Sequence, residues 1–487
     1  MKDSKLIKML KTFSVTELAE FEKFVDSPYF SRGRNLSEFF KCLKPFSPDF
    51  ESKDLTSENI FLKLYPGKTS EVKSSDNIIH KLSSETYKLC KEFLIQIELN
   101  KDENRRYFYL LNQLRMKKLY NEFEKEYKIS QSLDENFFKG SVNYFMDKYF
   151  LCHSYLEYNI DKCDFGNTFE NILLLGEYSA AISLIKGFRN IDTNNSSEKF
   201  NVKVRYNLVD NFINHLNSDK LIEEMKMNKD SFYPYVAVSH GIYKMFTNPD
   251  NDEYYYRFKN LVNEHLELFG HSEKYILFQT MIGYCIRKHN EENQRQFVRE
   301  EFQIIKEIFK LGIYKYNESD KIQINSFRTI VISAVDNGDI EWLEDFVNRY
   351  IGELHIEHRE SMKYFSFAYI NFEKNEFEKA LEYIMKVKYE FFLFKLDVKN
   401  LMFKIYFELD YTEQAYSLLD TMRHYLSNAK DLSESIIARE RNFIKYASEL
   451  LKLKSESKIL NSNYLKDKLE NERYLEGRKW LLQKIDS

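Results

Sequence analysis

The sequence predicts an all-α protein, a superhelical solenoid of antiparallel helix pairs of the tetratricopeptide type, preceded by an N-terminal helical cap. The 487 residues include only six prolines and thirteen glycines, and no proline follows Pro249. Turn-rich β architectures need more of both residues. Apolar residues recur at helical spacing along the chain. In the C-terminal half, these amphipathic segments also repeat at the period of a helix-turn-helix unit.

The first region, residues 1–100, is predicted to form short helices with defined ends. Ser14 and Glu17 make a capping box, in which the serine side chain accepts from the N3 amide and the glutamate reaches back to the N-cap amide. The helix that follows is expected to stop at Pro28. A later helix, from about Ser57, is expected to end at Pro66 and Gly67, which are both stop signals.

The middle region, residues 101–320, is predicted to contain further helix pairs. Loops are expected at Asp192–Ser197 and Asn248–Asp252, which are polar and rich in turn-forming residues. The Gly-x-Tyr-x-x-Ala pattern that begins at Gly176 is typical of the internal turn of a helix-turn-helix repeat.

The third region, residues 321–455, is predicted to hold tetratricopeptide-like repeats. Three short turns separate its amphipathic segments, at Asn337–Ile340, Asn375–Phe377 and Asp410–Tyr411. The spacing from Ile340 to Phe377 is 37 residues, and the spacing from Phe377 to Tyr411 is 34. The second value is the period of the tetratricopeptide repeat. The repeats are degenerate, since several of the usual consensus residues are replaced.

The last region, residues 456–487, is strongly charged and carries apolar residues at helical spacing. It is predicted to form a helix that caps the last repeat. The alternative is that it docks on a second copy of the protein, or folds back into the groove of the solenoid and inhibits it.

A family resemblance is carried by six segments, Phe21–Phe24, Ser27–Phe30, Ile60–Gly67, Gly338–Trp342, Phe377–Leu381 and Arg478–Leu482. In these segments the chain resembles a family of helical-repeat proteins of the Bacteroidota and related bacteria, for which no activity is established. The resemblance implies an all-helical repeat fold and a bacterial cytosolic setting, and it assigns no functional residues.

Composition indicates a cytoplasmic protein. The 72 basic and 76 acidic side chains leave a net charge of −4, which predicts no general attraction to nucleic acid or anionic membranes. The five cysteines are odd in number and widely spaced, as in proteins of reducing compartments. The N-terminus lacks the apolar core of a signal peptide, and no segment has the roughly 20 apolar residues that cross a bilayer.

No catalytic motif is evident, so the sequence favours a non-enzymatic protein without cofactor or metal. Phosphate-binding glycine loops and the nucleophile elbow are absent from the sequence. His355 and His358 have the spacing of helix-borne metal ligands, but a solvated helix start is favoured. Cys152, His153 and Cys163 are interpreted as core residues rather than a zinc site. An active site assembled from distant helices remains an open alternative.

A basic and aromatic patch offers a weaker alternative, the binding of nucleic acid. Arginines and aromatic rings together would suit single-stranded nucleic acid. Acidic neighbours and helical spacing favour an ordinary solvated helix face, so a nucleic-acid partner is not expected. The patch consists of Arg105, Arg106, Tyr107, Phe108, Tyr109, Arg115, Lys117 and Lys118.

The favoured function is a protein-binding scaffold. Stacked helix pairs expose a concave surface built from the first helix of each pair, and such surfaces hold extended peptides or helices of a protein partner. Phe372, Phe403 and Tyr406 could instead pack between neighbouring repeats, and the two interpretations are left open. The predicted surface consists of Arg328, Asp336, Tyr369, Phe372, Glu373, Lys399, Phe403 and Tyr406.

Overall fold

The computed structural model is all-helical. It describes residues 1–31, 36–67, 72–133, 139–199, 207–291, 293–317, 320–388, 392–429, 432, 434–456 and 462–486. No β-strand occurs in these ranges, and consecutive helices pack against each other in neighbouring pairs. The all-α prediction is therefore confirmed. Within the same ranges, no helix combines the length and the apolar character that crossing a membrane requires.

The chain forms two compact units. Unit 1 contains residues 1–133 and 153–168, and unit 2 contains residues 134–152 and 169–487.

The described part of unit 1 contains eight helices and adjoining parts of two more. Its core is centred on Phe21, whose ring contacts those of Phe13, Phe40 and Phe93 at centroid distances of 5.7, 5.0 and 5.3 Å. A 3₁₀ turn spans Lys44–Phe46. The helices are α1 (Lys5–Leu10), α2 (Val15–Asp26), α3 (Pro28–Ser31), α4 (Leu36–Leu43), α5 (Ser57–Leu64), α6 (Val72–Lys101), α7 (Glu103–Met116) and α8 (Tyr120–Gln131), followed by residues 153–161 of α9 (Val142–Asp161) and residues 165–168 of α10 (Phe165–Lys199).

Unit 2 contains the rest of α9 and α10 and all later helices. One continuous apolar core runs through it, from Phe145 to Ile485. Two 3₁₀ turns, at Leu266–Leu268 and Ile351–Glu353, follow α14 and α18. The helices are α11 (Leu208–Asn214), α12 (Ser218–Met227), α13 (Tyr233–Thr247), α14 (Glu253–His265), α15 (His271–Glu291), α16 (Gln296–Leu311), α17 (Ile324–Asp336), α18 (Ile340–Tyr350), α19 (Ile356–Glu373), α20 (Phe377–Met385), α21 (Phe392–Glu408), α22 (Thr412–Asn428), α23 (Glu434–Glu456), α24 (Ser462–Asn471) and α25 (Arg478–Asp486).

The predicted N-terminal helix signals are confirmed. The Glu17 amide donates to Ser14 Oγ at 3.1 Å, and the Ser14 amide donates to Glu17 Oε2 at 2.7 Å, which completes the capping box of α2. Helix α2 ends at Asp26, shortly before Pro28, and α5 ends at Leu64.

The three turns predicted in the C-terminal half are also confirmed, and they share one backbone geometry. Gly338, Asn375 and Asp410 all have a positive φ, of 70°, 60° and 58°. In each turn, the amide of the residue after the positive-φ position donates to the carbonyl oxygen five residues earlier, as Asp339 N does to Ala334 O at 3.1 Å. This 6→1 bond ends the helix and reverses the chain. Glycine suits the left-handed position best, and asparagine and aspartate tolerate it.

Two predicted breaks in the middle region are wrong. Helix α10 runs without interruption through Gly176 and through Asp192–Ser197. The second segment is polar but contains no proline or glycine, and each of its residues costs a helix only about 0.7 kcal/mol or less relative to alanine. The predicted loop at Asn248–Asp252 is confirmed, since it separates α13 from α14.

Candidate partner-binding site

The predicted surface residues lie on three helices of unit 2. Helix α17 carries Arg328 and Asp336, α19 carries Tyr369, Phe372 and Glu373, and α21 carries Lys399, Phe403 and Tyr406. Each of these helices is the first of a pair, and each leads into one of the three turns described above. Their side chains, however, have different surroundings.

Arg328 and Asp397 join α17 to α21. The guanidinium donates two hydrogen bonds to the carboxylate, from Nε and from Nη2, and the Nη2–Oδ1 distance is 2.6 Å. Both side chains are largely buried, at 19% and 10% exposed. A paired fork of this kind fixes the relative position of its two helices because it is directional. The guanidinium of Arg328 is therefore already paired with a carboxylate of the same chain.

Three aromatic residues of the predicted surface are packed rather than exposed. Phe403 is fully buried, and Tyr369 and Phe372 are nearly so. The Phe372 ring lies 5.5 Å from that of Phe377, the residue that begins the second helix of its pair. Burial raises the pKa of Tyr369, and the charge of Asp397 acts in the same direction. Phe372 and Phe403 are therefore packed inside unit 2 in this structure.

The remaining members of the predicted surface are spread along α19 and α21. Tyr406 is half-buried and lies 6.2 Å from the Tyr411 ring at the adjoining turn. Lys399 is half-buried, and burial lowers its pKa, with the nearby charge of Lys395 acting in the same direction. Glu373 lies at the end of α19 and is half-buried.

A cluster of buried ionic and polar groups lies beside the Arg328–Asp397 pair. Arg439 Nε is 3.3 Å from Glu476 Oε2, and Arg439 Nη2 is 3.8 Å from Glu440 Oε1. Asn400 donates to Glu440 Oε2 at 3.0 Å. Burial raises the pKa of Glu440 to about 8, and the carboxylate of Glu476 acts in the same direction. Burial also acts to raise the pKa of Glu476, but Arg439 and two further cations outweigh it, so that this pKa is lowered.

Asp336, the last residue of α17, faces the same cluster. Its side chain is accessible to solvent, yet the protein around it removes much of its hydration. The loss of hydration raises the pKa of Asp336 to about 6, with Glu476 acting in the same direction and Lys404 against it. A carboxyl group with such a pKa changes charge close to neutral pH.

The C-terminal segment, defined here as residues 462–486, lies on this same set of helices. The ring of Trp480 packs edge-on against Phe403 and Phe407, with centroid distances of 6.0 and 5.2 Å. Trp480 Nε1 donates to Glu408 Oε1 at 2.9 Å, and Lys484 Nζ lies 2.8 Å from the same oxygen. Helix α21 therefore holds α25 through an aromatic pair and one carboxylate.

Polar contacts extend the segment beyond the last helix pair. Lys479 Nζ donates to the carbonyl oxygens of Val335 and Asp336, each at 3.4 Å. Asp336 precedes Lys479 by 143 residues in the sequence. Asn442 donates to the carbonyl oxygen of Tyr474 at 2.8 Å. The segment thus contacts α17, α21 and α23, whereas a simple cap would cover only the final helices.

The site depends on residues that the sequence prediction missed, namely Asp397, Asn400, Glu408, Arg439, Glu440 and Glu476. One sequence signal was available. Asp397 and Asn400 stand among apolar residues of α21, where Leu396, Val398 and Leu401 are buried. A helix that is apolar on most sides is buried, so its polar residues need internal partners.

The other candidate sites acquire structural explanations. In the basic patch, Arg115 Nη1 lies 3.5 Å from Glu157 and 3.2 Å from Asp161, so this cation is paired within the chain. Cys152 is buried, as predicted, and its thiol donates to Asn171 Oδ1 at 3.3 Å. The same prediction is wrong for Cys163, which is exposed. His355 is the N-cap of α19, as a solvated helix start requires. Among the residues that the structure describes, no group of three or more His, Cys, Asp or Glu side chains could hold a metal ion.

No protein-family model, curated protein or solved structure matches the chain.

Proposed function

We propose that the protein is a non-enzymatic protein-binding scaffold, in which tetratricopeptide-like helix pairs form a solenoid and present a concave surface to a helix of a protein partner. Helices α17, α19 and α21 would line that surface, as the first helices of their pairs. A bacterial cytoplasmic setting, inferred from the sparse cysteines and from the family resemblance, belongs to the same proposal.

The observation that supports this proposal is the position of Trp480. A helix of the chain itself rests on α21 through one aromatic anchor that touches Phe403 and Phe407 and donates to Glu408. Tryptophan and charged residues in desolvated positions are the usual hot spots of protein interfaces. A surface that accepts this helix has the shape and chemistry to accept another amphipathic helix.

The binding of nucleic acid is the weaker alternative. Arg115 is engaged by two carboxylates, which removes one of the cations that the basic patch would have offered to phosphate.

Mild cross-linking in the source cells, followed by purification of the N-terminally tagged full chain, tests the proposal. We expect a protein partner whose cross-links map to lysines of α21 and α25, such as Lys399, Lys404 and Lys479. A digest without any cross-linked protein would overturn the scaffold function. Recovery of nucleic acid with an ultraviolet absorbance ratio typical of RNA or DNA would support the alternative instead.

A further inference from the structure

We propose that the C-terminal segment is an intramolecular ligand that occupies the partner site, and that the partner carries a helix of the same chemistry. That helix would present an aromatic anchor and a cation four residues apart, as Trp480 and Lys484 do here, and a carboxylate just before its first turn, as Glu476 does. The inference rests on the proposed function, because it names the occupant of the proposed surface and the way its access is controlled.

The first argument is chemical complementarity along one line of contact. Glu476 meets Arg439 at 3.3 Å, Trp480 meets Phe407 and Glu408, and Lys484 meets Glu408 again. Trp480 and Lys484 are four residues apart in α25 and lie on one face of it, whereas Glu476 precedes the helix and is followed by Gly477 at a φ of 63°. The surface thus selects a segment that carries three features in this order: a carboxylate, an aromatic residue and a cation.

The second argument is that the segment is held by an ionic contact that is incompletely satisfied. Arg439 Nε is close to Glu476 but is not aligned for a hydrogen bond, and neither it nor Asn400 Oδ1 has a hydrogen-bond partner in the part of the chain that the structure describes. Two carboxylates, Glu440 and Glu476, also share Arg439. Buried charges repay their lost hydration only when geometry and hydrogen bonding are good. The contact therefore contributes less than its number of charges suggests.

The third argument is incomplete packing at the edge of the segment. A cleft of about 490 Å³ lies where the end of α24 meets α15 and the loops beside it. Its lining includes Arg287, Asn293, Glu470 and Arg473. A hydrogen bond crosses this edge, from Asn293 to the carbonyl oxygen of Glu470 at 2.8 Å. Protein cores are packed more closely than this, so the edge of the segment at the end of α24 is looser than the core to which its own Leu469 and Leu481 belong.

A synthetic peptide of residues 472–486 with a fluorescent label is the probe. It is titrated, by fluorescence anisotropy, into the wild-type chain and into the full-length Trp480→Ala variant, whose own segment has lost its anchor. We expect the peptide to bind the variant at least about tenfold more tightly than the wild type, because the wild-type site is already filled. Equal affinity for the two chains would overturn the proposal.

A charge exchange gives the matched control. Adding Glu408→Lys to the Trp480→Ala variant should weaken peptide binding about tenfold, and a peptide with Lys484→Glu should restore it. If the Trp480→Ala chain fails to fold by circular dichroism, the full-length Lys484→Glu variant replaces it, since this side chain lies at the rim. Loss of affinity without rescue by the exchanged peptide would contradict the assigned register.

The test of the intramolecular ligand and the test of the scaffold function can fail independently of each other. A cross-linked partner recovered equally from wild-type and Trp480→Ala chains would leave the scaffold function standing and overturn the intramolecular ligand. Peptide binding as expected, with no cross-linked partner from cells, would retain the site and overturn the scaffold function.

Discussion

Arg328 and Asp397 are 69 residues apart in sequence and are joined by two parallel hydrogen bonds that link α17 to α21. The pair lies beneath the site that receives the C-terminal segment, next to the buried ring of Tyr369. It therefore connects the fold of unit 2 to the geometry of the candidate site.

Removal of one member of this pair should destabilise unit 2 strongly. In the Asp397→Leu variant, the guanidinium of Arg328 stays largely buried without its carboxylate, and such losses cost about 3–5 kcal/mol. Denaturant unfolding monitored by circular dichroism measures the change. The Arg349→Ala variant is the control, because its ion pair with Asp345 is solvent-exposed and should leave the unfolding midpoint unchanged. Equal effects of the two substitutions would contradict the structural role of the buried pair.

Substitution of Trp480 should release the C-terminal segment while the rest of unit 2 stays folded. The Trp480→Ala change removes the contacts with Phe403 and Phe407 and the hydrogen bond to Glu408, a loss of about 3–5 kcal/mol for a buried aromatic residue. Hydrogen exchange should then accelerate in residues 462–486 and remain slow in α19. Tyr464, which is 61% exposed on α24, provides the control, since its replacement by alanine should leave exchange in the segment unchanged.

Two glycines should respond to alanine in opposite directions. Gly140 has a φ of +80°, and a Cβ there would lie 2.8 Å from the rings of Phe269 and Tyr235. We expect Gly140→Ala to destabilise the protein by about 3 kcal/mol, because it combines left-handed strain with overpacking. Gly283 lies on an exposed face of α15, where an added methyl group would meet no atom of another described element within 4 Å.

For that reason, Gly283→Ala should stabilise the protein by about 0.5 to 1 kcal/mol, the difference in helix propensity. Thermal unfolding of both variants provides the comparison. A destabilised Gly283→Ala protein would show that this face of α15 is not free.

Stability should fall as the pH rises through the range in which Glu440 titrates. Its pKa is raised to about 8 in the folded protein, from an ordinary value of 4.5. Between these two values the folded state binds more protons than the unfolded state, so its advantage is complete below about pH 4.5 and is lost as the pH approaches 8.

The Glu440→Gln variant should have a flatter profile of unfolding free energy against pH, because the amide does not ionise. The profile is measured by denaturant unfolding from about pH 5 to pH 8.5. The Asp336→Asn variant should flatten only the lower part of the range, since the pKa of Asp336 is raised to about 6. Identical profiles for wild type and Glu440→Gln would show that the carboxyl group is ionised in the folded state.

Sequence patterns predicted the local features of this fold but not the side-chain contacts that define its site. The capping box of Ser14 and Glu17 and the turn at Gly338 are set by residues within a few positions of each other, and both were predicted correctly. The break expected at Asp192–Ser197 failed because polar residues without proline or glycine only weaken a helix.

The site itself could not be derived in this way. The partner of Arg328 is 69 residues away, and the local sequence around Asp397 indicates only that this carboxylate needs an internal partner, not which residue supplies it. Phe403 was predicted to belong to a binding surface, but it is buried against Phe443 and Trp480, which lie in two other helices. Contacts between distant elements are set by the whole fold, whereas capping and turn signals act between neighbours in the sequence.

The docking of the C-terminal segment also has a consequence for protein synthesis. Because translation proceeds from the N-terminus, α21 is made before α25. The rings of Phe403 and Phe407 therefore lack their contact with Trp480 until the end of the chain has been synthesised. Nascent chains with uncovered apolar side chains are prone to association. A molecule that binds these rings during translation reaches them before the chain's own tryptophan does.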